Sequence, residues 1–426
     1  MARVRIDTLA QLVLPQRHQD VASLPITSLI LSPKAQELLK DWLTDPLSLL
    51  LISTAFGLLV LYFVVDAIWP RFYGLKLGII YGIILVTVVA ESVLYIMLRH
   101  QTGPAAYTHD GGVIQTEEAI KFFQAGKNPY VEDYTQTPMA EWGLDYKTAL
   151  YHYPYLPWTF LFSWPFYRGF EAALGWYDQR FVYLLLFILT LAMAPALALR
   201  PEEKLMLVTV LGLNPIMGSD VIFGQNDSFV LFWVVLSLWF LKRGNWGRWA
   251  SAAALALACA SKPTAWFFAP FYFLYLWRKE EGSRHVFGLI GVFALVFAAV
   301  VAPFFFWNPD AMVDDVWRWA AGTAKISYQI RGWGVANFIL ALGLVESRLS
   351  YFPFWLFELA FALPVAVALG VRLYRYPSIK NALWAYGLTL FVFLYFSRFL
   401  NENYLGFILA ILALGYFTKT TAKESS

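Results

Sequence analysis

The chain has 426 residues, of which 59% are hydrophobic, 18% aromatic and only 14% charged. Soluble domains carry about 25% charged residues, so the composition excludes a soluble globular protein and predicts a polytopic helical membrane protein. The formal net charge of +3 is too small to indicate a nucleic-acid partner. The single cysteine, Cys259, permits no intrachain disulfide and leaves the redox compartment open.

The first 47 residues mix polar and apolar positions and predict an N-terminal surface arm, 1–47. Within it, 32–45 is expected to form a short interfacial helix with Ser32 as its N-cap and a proline at its first position. The start of the chain lacks the long apolar stretch of a cleavable signal peptide. We expect 48–418 to form a single transmembrane domain, followed by a cytoplasmic tail, 419–426.

Apolar runs near the roughly 20 residues that cross a bilayer recur along the chain. Several are too short for a full crossing, which predicts tilted, re-entrant or half-membrane helices. The expected fold class is therefore an all-α polytopic membrane protein with about 11–13 transmembrane or half-membrane helices. The predicted spans are 48–69, 76–98, 179–199, 205–217, 227–242, 249–260, 264–278, 286–306, 353–371, 381–396 and 404–418, with half-helices at 156–173 and 335–345.

Lysine and arginine mark the cytoplasmic ends of membrane spans. Short basic loops begin near Arg71, Lys242, Arg278 and Arg372. They place the polar runs 100–157 and 307–334 and the shorter loop 218–227 on the extracytoplasmic side, provided that 156–173 is re-entrant. The expected location is the cell membrane, with a site on the extracytoplasmic face.

The run 100–157 is polar and acidic, so we expect it to fold outside the hydrocarbon region as a cap with short juxtamembrane helices. Asp110 precedes two glycines, which predicts a tight, accessible turn. Thr116 is expected to N-cap a helix that Gly126 ends. A carboxylate on such a turn can take a proton from a hydroxyl nucleophile. An ordinary turn or capping role for Asp110 is the alternative.

Two further polar positions interrupt apolar stretches. Gln225 and Asn226 suit sugar hydroxyls or a phosphate, whereas Asp227 has the alternative of simply capping the following helix. Lys262 lies in a break between two apolar helices, and an ionisable residue at such a depth is a functional candidate. Its ammonium group would pair with a phosphate, and snorkelling to the outer headgroups is the alternative.

The two last polar loops hold two arginines and a tryptophan that suit a phosphorylated sugar. Arg331 and Trp333 lie in 307–334, and Arg398 lies in the last outer loop. Arginine grips phosphate through paired N–H groups, and a tryptophan can stack on a sugar face. Either arginine could equally be an anchor at the membrane interface.

These motifs, taken in order, resemble those of the GT-C glycosyltransferases. The likeness is strongest to polyprenol-phosphate-sugar-dependent mannosyltransferases and arabinofuranosyltransferases, and the glycosylphosphatidylinositol mannosyltransferase I family has a similar order. It rests on Asp110-x-x-x-Ile114, Gly126-x-Asn128-Pro129-Tyr130 and Tyr153-Pro154-Tyr155-Leu156, and on Asn214-Pro215, Gly224-Gln225-Asn226-Asp227 and Ala260-Ser261-Lys262-Pro263. The last two groups are similar to the G-Q-x-N and K-P motifs of these enzymes.

The resemblance implies an inverting glycosyltransferase that moves a hexose, by analogy mannose, from a polyprenyl-phosphate sugar to a hydroxyl of a lipid- or polymer-linked acceptor. Asp110 would be the general base, and Lys262 would contact the donor phosphate. Arg331 and Arg398 are added as phosphate-binding candidates because of the chemistry of their side chains. Donor and acceptor sugars would be bound by Gln225, Asn226, Asp227, Tyr130, His152, Tyr153, Trp333 and Glu402. Many relatives carry two acidic residues where this chain has Thr108-His109-Asp110, so no metal and no other cofactor is expected.

The expected partners are the polyprenyl-phosphate sugar, a glycan or glycolipid acceptor and membrane lipids. The main alternative function is that of a polytopic transporter or lipid flippase, which would need a polar path through the bilayer. The chain has no convincing internal repeat of the kind that marks secondary transporters. A non-catalytic membrane scaffold would have no reason to gather these polar residues on one face.

Overall fold

The computed structural model describes residues 20–21, 23–24, 26, 32–34, 46–142, 147–279 and 283–418. Within these ranges, five helices are long and apolar enough to cross a membrane, or six if one bent pair counts as a single span. The five are Leu47–Ile68, Tyr73–Thr102, Arg284–Trp307, Phe354–Arg375 and Ile379–Phe396. The prediction of an all-α multi-pass membrane protein is confirmed. Most of the predicted helix 32–45, and the predicted tail 419–426, lie outside the described residues.

The chain forms two compact units, Met1–His109 and Asp110–Ser426. The first contains α1 (Pro46–Ile68), α2 (Tyr73–Ile84), a π-helical turn (Leu85–Val89) and α3 (Ala90–Thr102). Lys76 joins α1 to α2, because its Nζ lies 2.8 Å from the Asp66 carboxylate. The outward side chains of α1 are large and apolar, as expected of a helix that faces lipid.

The second unit contains the remaining helices and a two-stranded parallel sheet, in which Arg331 lies opposite Phe399. Its helices and strands are α4 (Gln115–Gln124), α5 (Trp158–Leu174), α6 (Arg180–Met193), α7 (Pro201–Gly212), α8 (Pro215–Phe223), α9 (Asp227–Leu241), α10 (Gly244–Cys259), α11 (Phe268–Lys279), α12 (Ser283–Trp307), α13 (Pro309–Val313), α14 (Trp319–Ala321), β1 (Arg331–Gly332), α15 (Ala336–Ala341), α16 (Phe354–Phe357), α17 (Leu363–Arg375), α18 (Ile379–Phe396), β2 (Phe399–Leu400) and α19 (Glu402–Phe417). Single π or 3-10 turns lie at Asp110–Ile114, Pro138–Glu141, Thr148–Tyr151, Ala194–Ala196, Pro263–Phe267, Asp314–Arg318 and Glu358–Ala362.

Helix α9 lies at the centre of this unit. Its residues are apolar on every side and buried on most of them, as expected of a helix surrounded by other helices, and it packs against α6 and α10. Hydroxyl groups join it to its neighbours, since Ser237 donates to the Ser251 carbonyl at 2.9 Å and Ser251 bonds the Tyr272 hydroxyl at 2.7 Å. Such bonds hold helices together where apolar packing alone gives little preference.

The predicted span 205–217 is broken in the middle. Helix α7 ends at Gly212, α8 begins at Pro215, and the two axes differ by 47°. Asn214 starts the second helix, because its side-chain oxygen accepts hydrogen bonds from the amides of Ile216 and Met217. The prediction of an open loop over 218–227 was therefore wrong as far as Phe223, since a capped helix satisfies this backbone.

Other predicted breaks are confirmed. Helix α10 ends at Cys259 and α11 begins at Phe268, so 260–264 separates two short helices as expected. The predicted half-helix 156–173 is α5, with 17 residues, and 335–345 reduces to the six residues of α15.

The start of α4 differs from its prediction. Thr116 does not cap the helix, because the preceding Asp110–Ile114 segment already forms a helical turn. The Thr116 hydroxyl instead lies 3.5 Å from the Gly111 carbonyl, to which it donates. The far end is as predicted: α4 ends at Gln124, and Gly126 adopts a positive φ of 75°.

Candidate functional site

The turn that carries Asp110 lies directly against the turn that carries Gln225. A methyl group on Gly112 would lie 2.0 Å from the Gly224 carbonyl oxygen and 2.9 Å from the Gln225 Cα. Gly224 has a φ of +83° and ends α8. The Tyr183 hydroxyl fixes the first turn further by donating to the Gly112 carbonyl. Two motifs far apart in the sequence therefore share a backbone contact that only glycine permits.

Lys262 is the buried cation of this region. Its Nζ lies 2.8 Å from Asp227 Oδ1 and 3.0 Å from Asn226 Oδ1, and 4.8 Å from the centre of the Tyr404 ring. Lys262 is 6% exposed and Asp227 is fully buried. Asn403 donates to the second oxygen of Asp227, so both carboxylate oxygens are bonded.

This pairing decides two alternatives. Asp227 is the first residue of α9 and makes no capping hydrogen bond, because its carboxylate faces Lys262 and Asn403 instead. Lys262 lies in the extended break after α10 and forms its ion pair inside the protein rather than snorkelling outward. The capping interpretation of Asp227 and the snorkelling interpretation of Lys262 were both wrong.

The Tyr-Pro-Tyr-Leu segment, residues 153–156, also borders the site. The amides of Leu156 and Trp158 donate to the carbonyls of Ser261 and Ala260, each at 3.0 Å. This backbone pairing brings the ring of Tyr155 to 5.9 Å from the Lys262 ammonium group.

Asp110 is the first residue of the π-helical turn Asp110–Ile114. Its side chain lies outside the described part of the structure. The adjacent Gly111 is close to Tyr155, since a methyl group there would lie 2.8 Å from the Tyr155 hydroxyl. The backbone that carries Asp110 thus belongs to the same site as Lys262.

His152 and Tyr153 connect to the loop after α12. His152 Nδ1 lies 2.8 Å from Asp315 Oδ1, and its Nε2 lies 2.8 Å from the Ile326 carbonyl. The amide of Tyr153 donates to the second oxygen of Asp315 at 2.8 Å. A carbonyl only accepts, so Nε2 carries a hydrogen. Burial raises the pKa of Asp315 to about 6.

Within the described residues, His152, Asp314 and Asp315 form a group that could hold a metal ion. Ligand atoms of His152, Asp314 and Asp315 lie within 4.8 Å of one another. The 2.8 Å between His152 Nδ1 and Asp315 Oδ1 is a hydrogen-bond distance. Neighbouring ligands of a tetrahedral zinc ion, with bonds of about 2.0–2.1 Å, would be separated by about 3.3 Å. The observed spacing fits a shared proton.

Arg398 is 2% exposed and is bonded to three backbone carbonyls. Its Nε donates to Tyr328 at 2.5 Å, its Nη1 to Ser350 at 2.9 Å and its Nη2 to Arg348 at 3.3 Å. The guanidinium group therefore joins three loop segments. Its predicted phosphate-binding role stays a prediction, and it would require some of these bonds to be exchanged.

The other predicted residues divide by burial. Arg331 is half-buried in β1, while Trp333 is 43% exposed and Glu402 is exposed at the start of α19. Tyr130 and Tyr153 are buried against each other with ring centroids 5.6 Å apart. The Tyr130 hydroxyl donates to the Tyr155 carbonyl at 2.8 Å. Their sugar- and phosphate-binding roles stay predictions.

The structure adds residues that received no role from the sequence. Asn403 and Tyr404 contact the Asp227–Lys262 pair, and Asp315 holds His152. Each partner lies far away along the chain, so no local spacing signals the contact. Asp220, which likewise received no role from the sequence, is also buried in this region.

No protein-family model and no curated protein matches this chain. The residues of the site therefore have to support any functional proposal by themselves.

A Gly112→Ala substitution should destabilise the protein and disturb the site, because the new methyl group would collide with the Gly224 carbonyl. Overpacking of this kind costs about 1–3 kcal/mol. The thermal unfolding midpoint in detergent measures the effect. Gly169→Ala is the control, since nothing lies within 4 Å of a methyl group there. Equal midpoints for the two variants would contradict the close backbone contact.

A Lys262→Met substitution should destabilise the protein by about 3–5 kcal/mol, because it leaves Asp227 as a buried charge without its cation. The double variant Lys262→Met/Asp227→Asn removes both charges and should recover most of that loss. Unfolding free energies of the wild type, both single variants and the double variant measure the coupling. Additive losses would show that the two side chains do not interact.

Asp315 should make stability depend on pH. Its pKa of about 6 in the folded chain exceeds the ordinary value of 3.8, so the folded state holds this proton more tightly than the unfolded state. Stability is then lost as the pH rises from about 4 to 6, by roughly 3 kcal/mol at most. Asp315→Asn should remove this part of the pH profile of the unfolding midpoint. The exposed Asp310→Asn serves as control, and identical profiles in Asp315→Asn and wild type would contradict the assignment.

Proposed function

We propose that this protein is an integral-membrane glycosyltransferase with a GT-C-like fold. It transfers a hexose, mannose in our proposal, from a polyprenyl-phosphate sugar to a hydroxyl group of a lipid- or polymer-linked acceptor. The site would face the extracytoplasmic side of the cell membrane, as the basic loops between spans indicate. The reaction would need no metal and no other cofactor.

The observation that supports this proposal most is the convergence of the residues that carry the resemblance. The Asp110 turn touches the Gly224–Gln225 turn, and Lys262 binds Asn226 and Asp227. A protein that used these motifs separately would have no need to bring them into one site.

The chemistry assigned to each residue is a single displacement. Asp110 accepts the proton of the acceptor hydroxyl, whose oxygen attacks C1 of the sugar while the bond from C1 to the phosphate oxygen breaks. Polyprenyl phosphate leaves with the electron pair of that bond, and the configuration at C1 is inverted. The lipid phosphate of the donor is the leaving group, so the site needs no room for a nucleotide.

The charge on the departing phosphate has to be stabilised. The ammonium group of Lys262 has three N–H groups, of which two bond Asn226 and Asp227. Its third N–H and the guanidinium group of the half-buried Arg331 are assigned to phosphate. Arg398 could join them only by exchanging some of the hydrogen bonds to its three carbonyl partners.

The test uses purified protein in nanodiscs with a panel of polyprenyl-phosphate sugars and a membrane-lipid extract as acceptor. Release of polyprenyl phosphate is followed with and without chelator. Asp110→Asn should lower the rate by about 100- to 10,000-fold without changing the unfolding midpoint. Glu141→Gln, an exposed acid of the same loop, should react at the wild-type rate.

Two results would overturn the proposal in different ways. If Asp110→Asn reacts as fast as the wild type, Asp110 is not the general base, but the glycosyltransferase proposal still stands. If the wild type neither binds nor consumes any of these donors, the proposal of a glycosyltransferase is overturned. If chelator abolishes the reaction and a divalent ion restores it, the expectation that the reaction needs no metal is contradicted.

One observation favours a second candidate, a transporter or lipid flippase. The bent pair α7–α8 and the break after α10 are interrupted helices, with Asp220, Asp227 and Lys262 buried near them. Interrupted helices with buried charges are common at transport sites. Movement of a fluorescent polyprenyl-phosphate lipid across proteoliposomes, unaffected by Asp110→Asn and without sugar transfer, would favour this candidate.

A further inference from the structure

A buried carboxyl group near Lys262 has an oxygen without a hydrogen-bond partner. Asp220 is 4% exposed, and its Oδ2 has no partner among the described residues. Most buried polar atoms in proteins are hydrogen-bonded, and one left unpaired costs about 1–3 kcal/mol. An oxygen of this kind therefore calls for a donor.

The backbone holds Asp220 in place beside the site. It lies in the last turn of α8, and its carbonyl accepts hydrogen bonds from the amides of Gly224 at 2.8 Å and Gln225 at 2.7 Å. Asp227, Lys262 and Glu402 are the charged neighbours that act on its carboxyl group. Asp220 thus belongs to the same cluster as the buried lysine.

Among the described residues, the side chain of Asp220 has no hydrogen-bonding or ionic partner of its own in this cluster. Lys262 is paired with Asp227 at 2.8 Å, and the other oxygen of Asp227 is bonded by Asn403. In the described part of the chain, Asp220 forms no salt bridge and its side chain makes no hydrogen bond. Lys262 forms its salt bridge with Asp227 and none with Asp220, so the partner of the Asp220 oxygen is open to a ligand.

A second acceptor in the adjacent turn has the same need. Gln225 Oε1 is buried and has no partner within the described residues. Two unsatisfied oxygens require a ligand that donates hydrogen bonds, and hydroxyl groups do so. A phosphate at neutral pH offers mainly acceptor oxygens, which do not match two buried acceptors. This part of the site fits the hydroxyl-bearing portion of a ligand, opposite in character to the part at Lys262.

We propose that Asp220 is a substrate-binding residue whose carboxyl group accepts a hydrogen bond from a hydroxyl of the hexose, with Gln225 Oε1 accepting a second. The proposal rests on the glycosyltransferase function above and adds to it a division of the site. Asp220 and Gln225 select the sugar hydroxyls, while Lys262 faces the phosphate. A site that bonds a substrate hydroxyl discriminates strongly against the analogue that lacks it, because its own polar groups are then left unpaired.

The test measures binding rather than turnover, with polyprenyl-phosphate mannose, its monodeoxy analogues and sugar-free polyprenyl phosphate as probes. In the wild type, one monodeoxy analogue should bind roughly 10- to 100-fold more weakly than the parent, as expected when a buried oxygen loses its hydrogen-bond donor. Asp220→Leu, which removes the acceptor at similar side-chain size, should weaken binding of the parent by a similar factor. It should leave the affinities for that one analogue and for sugar-free polyprenyl phosphate unchanged.

The controls separate this proposal from its alternatives. Glu346→Gln, an exposed acid in the same unit, should bind every probe as the wild type does. Equal weakening of all probes by Asp220→Leu, sugar-free polyprenyl phosphate included, would overturn the proposal in favour of a structural role. Wild-type binding of all probes by the variant would leave a buried water as the partner of Asp220, with the glycosyltransferase intact.

Failures of the two proposals remain distinguishable. A wild type that binds sugar-free polyprenyl phosphate and the mannose donor equally, yet releases product, would overturn the role of Asp220 alone. A wild type that binds none of the probes and releases no product would overturn both. If Asp220→Leu does not fold, the affinities of the wild type for the monodeoxy series decide, since equal affinities would exclude any recognised hydroxyl.

Discussion

The ion pair between Lys262 and Asp227 is the interaction on which the site depends. It joins the break after α10 to the first residue of α9, and both side chains are buried. Two charges removed from water are tolerated only when good geometry and further hydrogen bonds compensate for their lost hydration. Asn226 and Asn403 supply those bonds, so several loops have to hold their positions for the pair to exist.

Glycine residues also allow the Asp110 turn and the Gln225 turn to lie close together in the site. Because no side chain separates Gly112 from Gly224, the backbones of the two turns lie in direct contact. The Tyr-Pro-Tyr-Leu segment pairs its backbone with Ala260 and Ser261 on another side. Polar groups at such a depth can serve a ligand because the surrounding backbone, rather than flexible side chains, sets their positions.

Charged side chains of this unit act in two distinct ways. Arg398 and the His152–Asp315 pair connect loops, and their polar atoms are bonded within the protein. Asp220 lacks such a partner for one oxygen, and Lys262 retains a third N–H. Groups with unused bonding capacity are the ones available to a ligand.

The sequence by itself determined the membrane class, the positions of most helices and the break between α10 and α11, because hydropathy and helix-breaking residues act locally. It also identified Gln225, Asn226 and Lys262 as a set. It missed the helix that Asn214 starts and misassigned Thr116, since a cap depends on where the preceding turn ends. Only the tertiary structure decided that Asp227 pairs with Lys262, that Arg398 bonds carbonyls and that Asp220 is left unpaired. A hydrogen bond joins atoms of residues distant along the chain, and no local pattern records that distance.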